Sequence, residues 1–360
     1  MIIIRVDSSI HMGAGHVMRC LTLANALRNH GKQVEFICHP HRGNLVDLIR
    51  HEHGFLVHIL EHSAEVFGND QNSQEPNKIN WQQDVEQTLA ILREKERVVE
   101  LVIVDHYALD YRWEFALRKD VRKIMVIDDL ADRKHDCDVL LDQNFYLTVD
   151  RYQGLLPEHC IQLLGTKFIL LRAEFETQRT RVKTQPSDSK HLLICFGGSD
   201  PENETGKALA AVEGLEKSNF SVDVILGSQN PNQDKILEQI KNIPRANCII
   251  QANNMAELLF RADLALGAVG TTTWERCAMG VPTIVTTTAA NQVEVTESLA
   301  KMNIVHYIGE AIDSTPEHYL KAIREVLLDV HYYRSMAVNG MNLVDGKGIH
   351  RVMQSISELA

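Results

Sequence analysis

Short β-branched runs alternate with longer amphipathic stretches along this whole chain, and that alternation admits few folds besides a parallel sheet wrapped by helices. It occurs twice. The first series of strands is expected at MIIIRV, VEFIC, FLVHIL, ELVIVDH and IMVIDD, the second at HLLICFGG, VDVILG, CIIQ, DLALGAVG, VPTIVTT and IVHYIG. Between the series lies RTRVKTQPSDSK, polar and basic, with one proline and no apolar periodicity, as in a hinge or linker. At 360 residues the chain exceeds the size at which one core stops growing. The expected class is therefore α/β, with two Rossmann-like domains at 1–178 and 191–345, a linker at 179–190, and a C-terminal helix at 346–360 able to cross back to the first domain. In such a protein a cleft lies between the carboxyl ends of two sets of strands, where ligands bind.

Local signals support these elements. Val17 to Asn29 places Leu21, Ala24 and Leu27 on one helical face, with Gly31 as a C-cap. A helix is expected from Trp81, after the polar surface excursion NDQNSQEPNKIN at 69–80, and another from Met255 to Arg261. From Pro316 onward only helices are expected.

Composition excludes several classes of function. Hydrophobic residues make up 44% and charged residues 24%, so disorder has no compositional basis. A net charge of −11 argues against a surface that neutralises a nucleic-acid backbone. Seven widely spaced cysteines with no C-x-x-C pair, and no signal-peptide pattern, point to a reduced, cytoplasmic protein. No stretch approaches the roughly 20 apolar residues of a membrane span, so no stable membrane association is expected.

The motifs fall at strand exits. MGAGHVMRC, residues 12–20, follows the first strand, but Met18 stands where a dinucleotide fingerprint needs its third glycine. Gly13 and Gly15 instead let the backbone pass close to a ligand, with the N–H groups of the next helix turned toward it. His16 stands at the helix start, where the positive dipole end favours a neutral ring able to take a proton from water. A helix cap is the alternative. VDHYAL ends another strand with Asp105, His106 and Tyr107, and VIDDLADRKHDCD does the same with Asp128 and Asp129. Such groups can orient a catalytic histidine or sugar hydroxyls, and they are also ordinary turn formers. Asp136-x-Asp138 resembles the metal-binding D-x-D of one glycosyltransferase class, but that class has a single domain rather than two matching halves. The pairs His39/His41 and His51/His53 are expected to be solvated rather than metal ligands, since no carboxylate or cysteine cluster accompanies them.

In the second series CFGGSDPEN offers Gly198, Ser199, Asp200 and Asn203 at a strand end, able to admit a sugar or phosphate or to form a plain tight turn. LGAVGTTTWERCAMGVPTIV is richer. Gly270, Thr271 and Thr272 open a helix whose amides and hydroxyls suit a diphosphate, and Glu275 in its first turn can accept from both ribose hydroxyls. Asn291 and Gln292 follow the next strand.

Taken in order, Gly-x-Gly-His, VDHY, LLRAEF (170–175), GGSDPEN, GTTTWE and NQ resemble the UDP-sugar hydrolases of pseudaminic acid biosynthesis. These are related to the lipid-linked GlcNAc transferase of peptidoglycan synthesis and share the glycosyltransferase-B type fold. The resemblance covers nearly the whole chain. It implies removal of UDP from a UDP-linked diacetamido trideoxy sugar, UDP-2,4-diacetamido-2,4,6-trideoxy-β-L-altropyranose, with water as acceptor, inversion at the anomeric carbon, and neither metal nor other cofactor. It implies a general base at His16, sugar contact at Tyr107, and substrate or UDP contact at Arg172, Asn203, Glu275 and Asn291. A glycosyltransferase of the same fold, or a noncatalytic nucleotide-sugar binding module, is the competing expectation. The triple threonine at 271–273 departs from a more serine-like phosphate loop.

Overall fold

The computed structural model describes residues 1–10, 12–61, 79–95, 97–147, 150–180, 187, 189–198, 200–215, 220–228 and 230–359. Most of the expected excursion at 69–80, most of the linker at 179–190, and Ser199 lie outside the described residues. The chain divides into two compact units: one of residues 1–144, 148–170 and 348–360, the other of residues 145–147 and 171–347.

The first unit is a parallel sheet of β1 (Ile2–Val6), β2 (Val34–Cys38), β3 (Leu56–Ile59), β4 (Val99–Asp105), β5 (Val121–Ile127), β6 (Val139–Asp142) and β7 (Ile161–Leu164) in the order β3-β2-β1-β4-β5-β6-β7. Among its helices are α1 (Gly15–Asn29), α2 (Trp81–Arg93) and α3 (Tyr111–Leu117). Strands β1 and β2 are buried along their length, which is why they are almost continuously apolar. Leu21, Ala24 and Leu27 of α1 lie in the core against Ile2, Ile4 and Phe36. Gly31, at φ 77°, closes α1 from the left-handed region.

Apart from residues 145–147, the second unit begins at Leu171, ahead of the expected boundary at 178. The cause is α4 (Ala173–Arg179), where Phe175 is fully buried and the Arg179 guanidinium donates to the carbonyls of Ala278 and Met341 at 2.5 Å each. The strands β8 (Lys190–Cys195), β9 (Phe220–Leu226), β10 (Ala246–Ile250), β11 (Leu264–Ala268), β12 (Thr283–Thr287) and β13 (His306–Glu310) are parallel in the order β10-β9-β8-β11-β12-β13. Around them stand α5 (Glu204–Glu213), α6 (Gln233–Ile240), α7 (Met255–Arg261), α8 (Thr271–Ala278), α9 (Val293–Lys301), α10 (Pro316–Leu328) and α11 (Val330–Leu343).

The final helix, α12 (Gly348–Ser357), is part of the first unit, and Ile349, Val352 and Ile356 bury their side chains in its core. Gly348 lies so close to the Phe168–Ile169 backbone that a Cβ there would collide with it. In each sheet the strand order reverses direction once, between β1 and β4 and between β8 and β11. In open α/β sheets the carboxyl ends of the strands flanking that reversal are the preferred ligand position. His16, Asp105 and Tyr107 stand at the first of these places, and Gly198 and Gly270 to Thr272 at the second.

Candidate functional site

At the first reversal Val6 of β1 pairs with Asp105, the last residue of β4. The chain leaves β1, turns through Gly13 at φ 74° with open space where a Cβ would be, and enters α1 at Gly15. The N-cap is Ala14, which makes no side-chain cap bond. His16 is thus not the helix cap: its ring turns to Asp105, with Nδ1 2.6 Å from Oδ1. One turn on, Arg19 donates from Nε to Asp105 Oδ2 at 2.6 Å and from Nη2 to Oδ1 at 2.7 Å.

Electrostatics set the histidine's tautomer. Burial pushes the Asp105 carboxyl up, but the charge and hydrogen bonds of Arg19, with the hydrogen bond from His16, outweigh it and hold the group well below the carboxylate range. An ionised carboxylate only accepts, so Nδ1 carries the proton, and the 3.1 Å approach of Arg19 Nη2 to Nδ1 is a contact between two donors. The Nε2 lone pair is left without a protein donor among the described residues. Tyr107 places its ring edge-on to His16, centroids 4.6 Å apart, and its hydroxyl donates to Asp129 Oδ1 at 2.8 Å. Burial, then the nearby Asp129 charge, push the phenol well above its ordinary range, so it stays a donor. Asp129 also takes Arg19 Nη1 at 3.1 Å, closing a ring of His16, Asp105, Arg19, Asp129 and Tyr107.

The neighbouring polar groups are structural. Arg5, fully buried in β1, is held by Asp7 at 2.6 Å and Asp84 at 2.7 Å. Contrary to the expectation of a solvated pair, His39 is buried, 3.2 Å from Asp84, and the half-buried His41 stands 3.5 Å from Asp7. His106 accepts from the Ala108 N–H at Nδ1, so its Nε2–H faces Asp7, 3.3 Å away, rather than the His16 ring. Asp136 and Asp138 are ion-paired with Arg118 at 3.0 and 2.5 Å. Among the described residues no cluster of His, Cys, Asp and Glu has the arrangement of a metal site.

In the second unit Gly198 follows β8 and is exposed, as is Gly270 after β11, while Thr271 and Thr272 open α8 half-buried. The Gly270 N–H donates to Thr273 Oγ1 at 3.1 Å. Glu275 begins the second turn of α8 rather than lying in its first, because the helix opens only at Thr271, and it receives Arg172 Nη2 at 3.2 Å, so the fold joins two expected site residues 103 positions apart. Burial pushes the Glu275 carboxyl above its ordinary range against the opposing charge of Arg172, and Oε2 is buried with no hydrogen-bond partner. Asn203, at φ 55°, caps α5 by accepting the Gly206 N–H at 3.3 Å, and Asp200 accepts the N–H groups of Glu204 and Thr205. Gln292 spends its carbonyl on the Thr288 N–H at 2.8 Å, whereas Asn291 is exposed.

Sequence reading missed Arg19 and Arg276. Arg19 had a signal, since it follows His16 by three residues and so shares its helical face. Arg276 had none, because neighbours on a helix point about 100° apart and nothing in the string turns one of them inward.

Comparison with known proteins adds to this geometry. The family model for lipid-A-disaccharide synthetase matches residues 170–309. The UDP-2,4-diacetamido-2,4,6-trideoxy-β-L-altropyranose hydrolase of Campylobacter jejuni is 27% identical over 259 residues, 72% of this chain and 81% of that protein. Two crystal structures superpose along nearly the full length. MurG of Acinetobacter baumannii does so with a TM-score of 0.65 at 13% identity, covering 99% of both chains. The UDP-GlcNAc 2-epimerase of Neisseria meningitidis, bound to UDP-GlcNAc, gives 0.62 at 14% identity, covering 99% of this chain and 100% of the other. The chain therefore has two Rossmann-like units of the glycosyltransferase-B type, and its sequence resembles that of the UDP-2,4-diacetamido-2,4,6-trideoxy-β-L-altropyranose hydrolase.

Proposed function

We propose that this chain is a UDP-sugar hydrolase that releases UDP from UDP-2,4-diacetamido-2,4,6-trideoxy-β-L-altropyranose in pseudaminic acid biosynthesis. The observation that carries the reading is the His16–Asp105 pair at 2.6 Å, which holds a proton on Nδ1 and leaves Nε2 as the acceptor. The bond balance is simple. Water oxygen bonds to the anomeric carbon as the bond to the diphosphate oxygen breaks; a water proton passes to His16 Nε2, and the electron pair leaves with UDP. Attack opposite the leaving group inverts the anomeric centre. Asp105 stabilises the imidazolium that forms, and Arg19 keeps Asp105 ionised and in place.

The remaining assignments follow the same reading. Gly13, Gly15 and Tyr107 border the sugar in the first unit. In the second, Gly198, Gly270, Thr271 and Thr272 face the diphosphate through amides and hydroxyls, and Ser199, outside the described residues, is assigned to UDP with them. Glu275 accepts from the ribose hydroxyls through the unpartnered Oε2, with Arg172 steadying it. Asn203, Asn291 and Gln292 complete the substrate contacts.

The deciding experiment measures free UDP released from the UDP-linked diacetamido altrose compound, with and without a glycan acceptor, in the parent and in His16→Asn. Release without acceptor that falls about 10²- to 10⁴-fold in the variant, while UDP affinity holds, is the expected result. Release only with acceptor would make the chain a glycosyltransferase, and UDP-sugar binding without release would make it a binding module.

A further inference from the structure

Arg276, in the second turn of α8, is 2% exposed. Its Nη2 donates to the Ala268 carbonyl at 2.7 Å and to Thr273 Oγ1 at 2.9 Å, but Nε and Nη1 are buried with no hydrogen-bond partner. The guanidinium lies over the carboxyl ends of β8 and β11, against Gly267 and Cys195, which pair across those strands. A Cβ at 267 would collide with it, so glycine there leaves it room.

Arginine keeps its charge in proteins, and a buried charge is costly unless something of opposite sign answers it. Nothing nearby does so fully. Burial pulls the group below the ordinary arginine range, and the residues whose charge would oppose this are Cys195, Cys277 and Glu275. Burial also pushes both thiols up, Cys277 to about 12, so at neutral pH they are uncharged. Glu275 is bonded to Arg172 instead. The uncompensated charge stands beneath the loop 268–270 and the start of α8, joined to it through Thr273 Oγ1, which in turn accepts the Gly270 N–H.

We infer that Arg276 is a positioning residue for a nucleoside diphosphate, supplying from beneath the loop the positive charge that answers the diphosphate held by Gly270, Thr271 and Thr272. The inference rests on the UDP site assigned above, but it concerns binding of the diphosphate rather than hydrolysis. The charge acts through the Thr273–Gly270 link and through the field at the helix start, and it grows in importance as negative charge collects on the departing diphosphate.

The test compares UDP with uridine, which shares the base and ribose and lacks the diphosphate, by calorimetric titration of the full chain. In Arg276→Met, UDP affinity is expected to fall about 10- to 100-fold, the range for losing a charge-assisted interaction, while uridine affinity holds. Arg276→Lys is expected to recover part of the loss. Equal weakening of both ligands, or of neither, would overturn the inference. Should Arg276→Met fail to fold, Thr273→Val removes the hydroxyl that takes both the guanidinium and the Gly270 N–H, the link through which the charge acts, and UDP must again weaken selectively. The parent must also prefer UDP to uridine and bind inorganic pyrophosphate less tightly as salt rises. These binding results stand whether or not UDP is released from the sugar nucleotide, so failure of the hydrolase reading is read from turnover alone.

Discussion

Replacing Asp105 by asparagine removes one charge and almost no volume, and its effects can be worked from the geometry. The carboxylate is fully buried and receives His16 Nδ1 at 2.6 Å and Arg19 at 2.6 and 2.7 Å. An amide has one oxygen for these donors. If that oxygen takes Arg19, the amide NH₂ faces Nδ1, the ring must accept there, and its proton moves to Nε2. A ring protonated at Nε2 cannot take a proton from water. Turnover is expected to fall about 10³-fold, some 4 kcal/mol on the barrier. Stability also falls, because buried Arg19 retains only Asp129 at 3.1 Å as a carboxylate partner; about 3 kcal/mol is the scale for breaking a buried pair from one side. The assay is steady-state UDP release with urea denaturation of the same preparation, and UDP affinity is expected to be unchanged. A folded Asp105→Asn protein that turns over like its parent would refute the role given to the pair.

Other outcomes follow from the same structure. Because burial raises the Glu275 carboxyl above its ordinary range, UDP affinity should decline as pH falls through that raised value and the acceptor is protonated. In Glu275→Gln it should be weaker by about tenfold and lose this pH dependence, as calorimetry at several pH values would show. Asp142 is lifted by burial to about 7 despite Arg151 at 2.9 Å, so between the unfolded and folded values the native state holds the extra proton. Stability therefore drops as pH rises toward 7, by up to about 4 kcal/mol, and Asp142→Asn should flatten that slope in denaturation curves. Turnover should survive exhaustive EDTA treatment; a loss restored by Mg²⁺ or Mn²⁺ would count against diphosphate binding by amides, hydroxyls and arginine alone.

Much of the fold was legible because buried parallel strands must be apolar on both faces and stand out as short β-branched runs; α7 appears at Met255–Arg261, as its pattern predicts. Strands β6 and β7 escaped notice because each has four residues and no amphipathic helix separates β6 from β5. His16 was legible by its place after a strand and two glycines. Its partners were harder to assign: Asp105 comes 89 residues later and meets it only because β1 pairs with β4, and its neighbour His106 turns instead to Asp7. The pairing of Arg172 with Glu275 is likewise a product of how α4 packs within the second unit, which the polar composition after residue 178 concealed.

The return of α12 to the first unit sets an order of completion during synthesis. Apart from residues 145–147, the second unit is one continuous stretch ending at Lys347, whereas the first needs Ile349, Val352 and Ile356 to fill its interior. A ribosome delivers His16, Arg19, Asp105 and Tyr107 early, yet the core behind α1 stays open until that helix has emerged. The unit whose synthesis begins first is thus the one whose folding finishes last, and a chain released before residue 348 would expose the apolar surface that α12 covers.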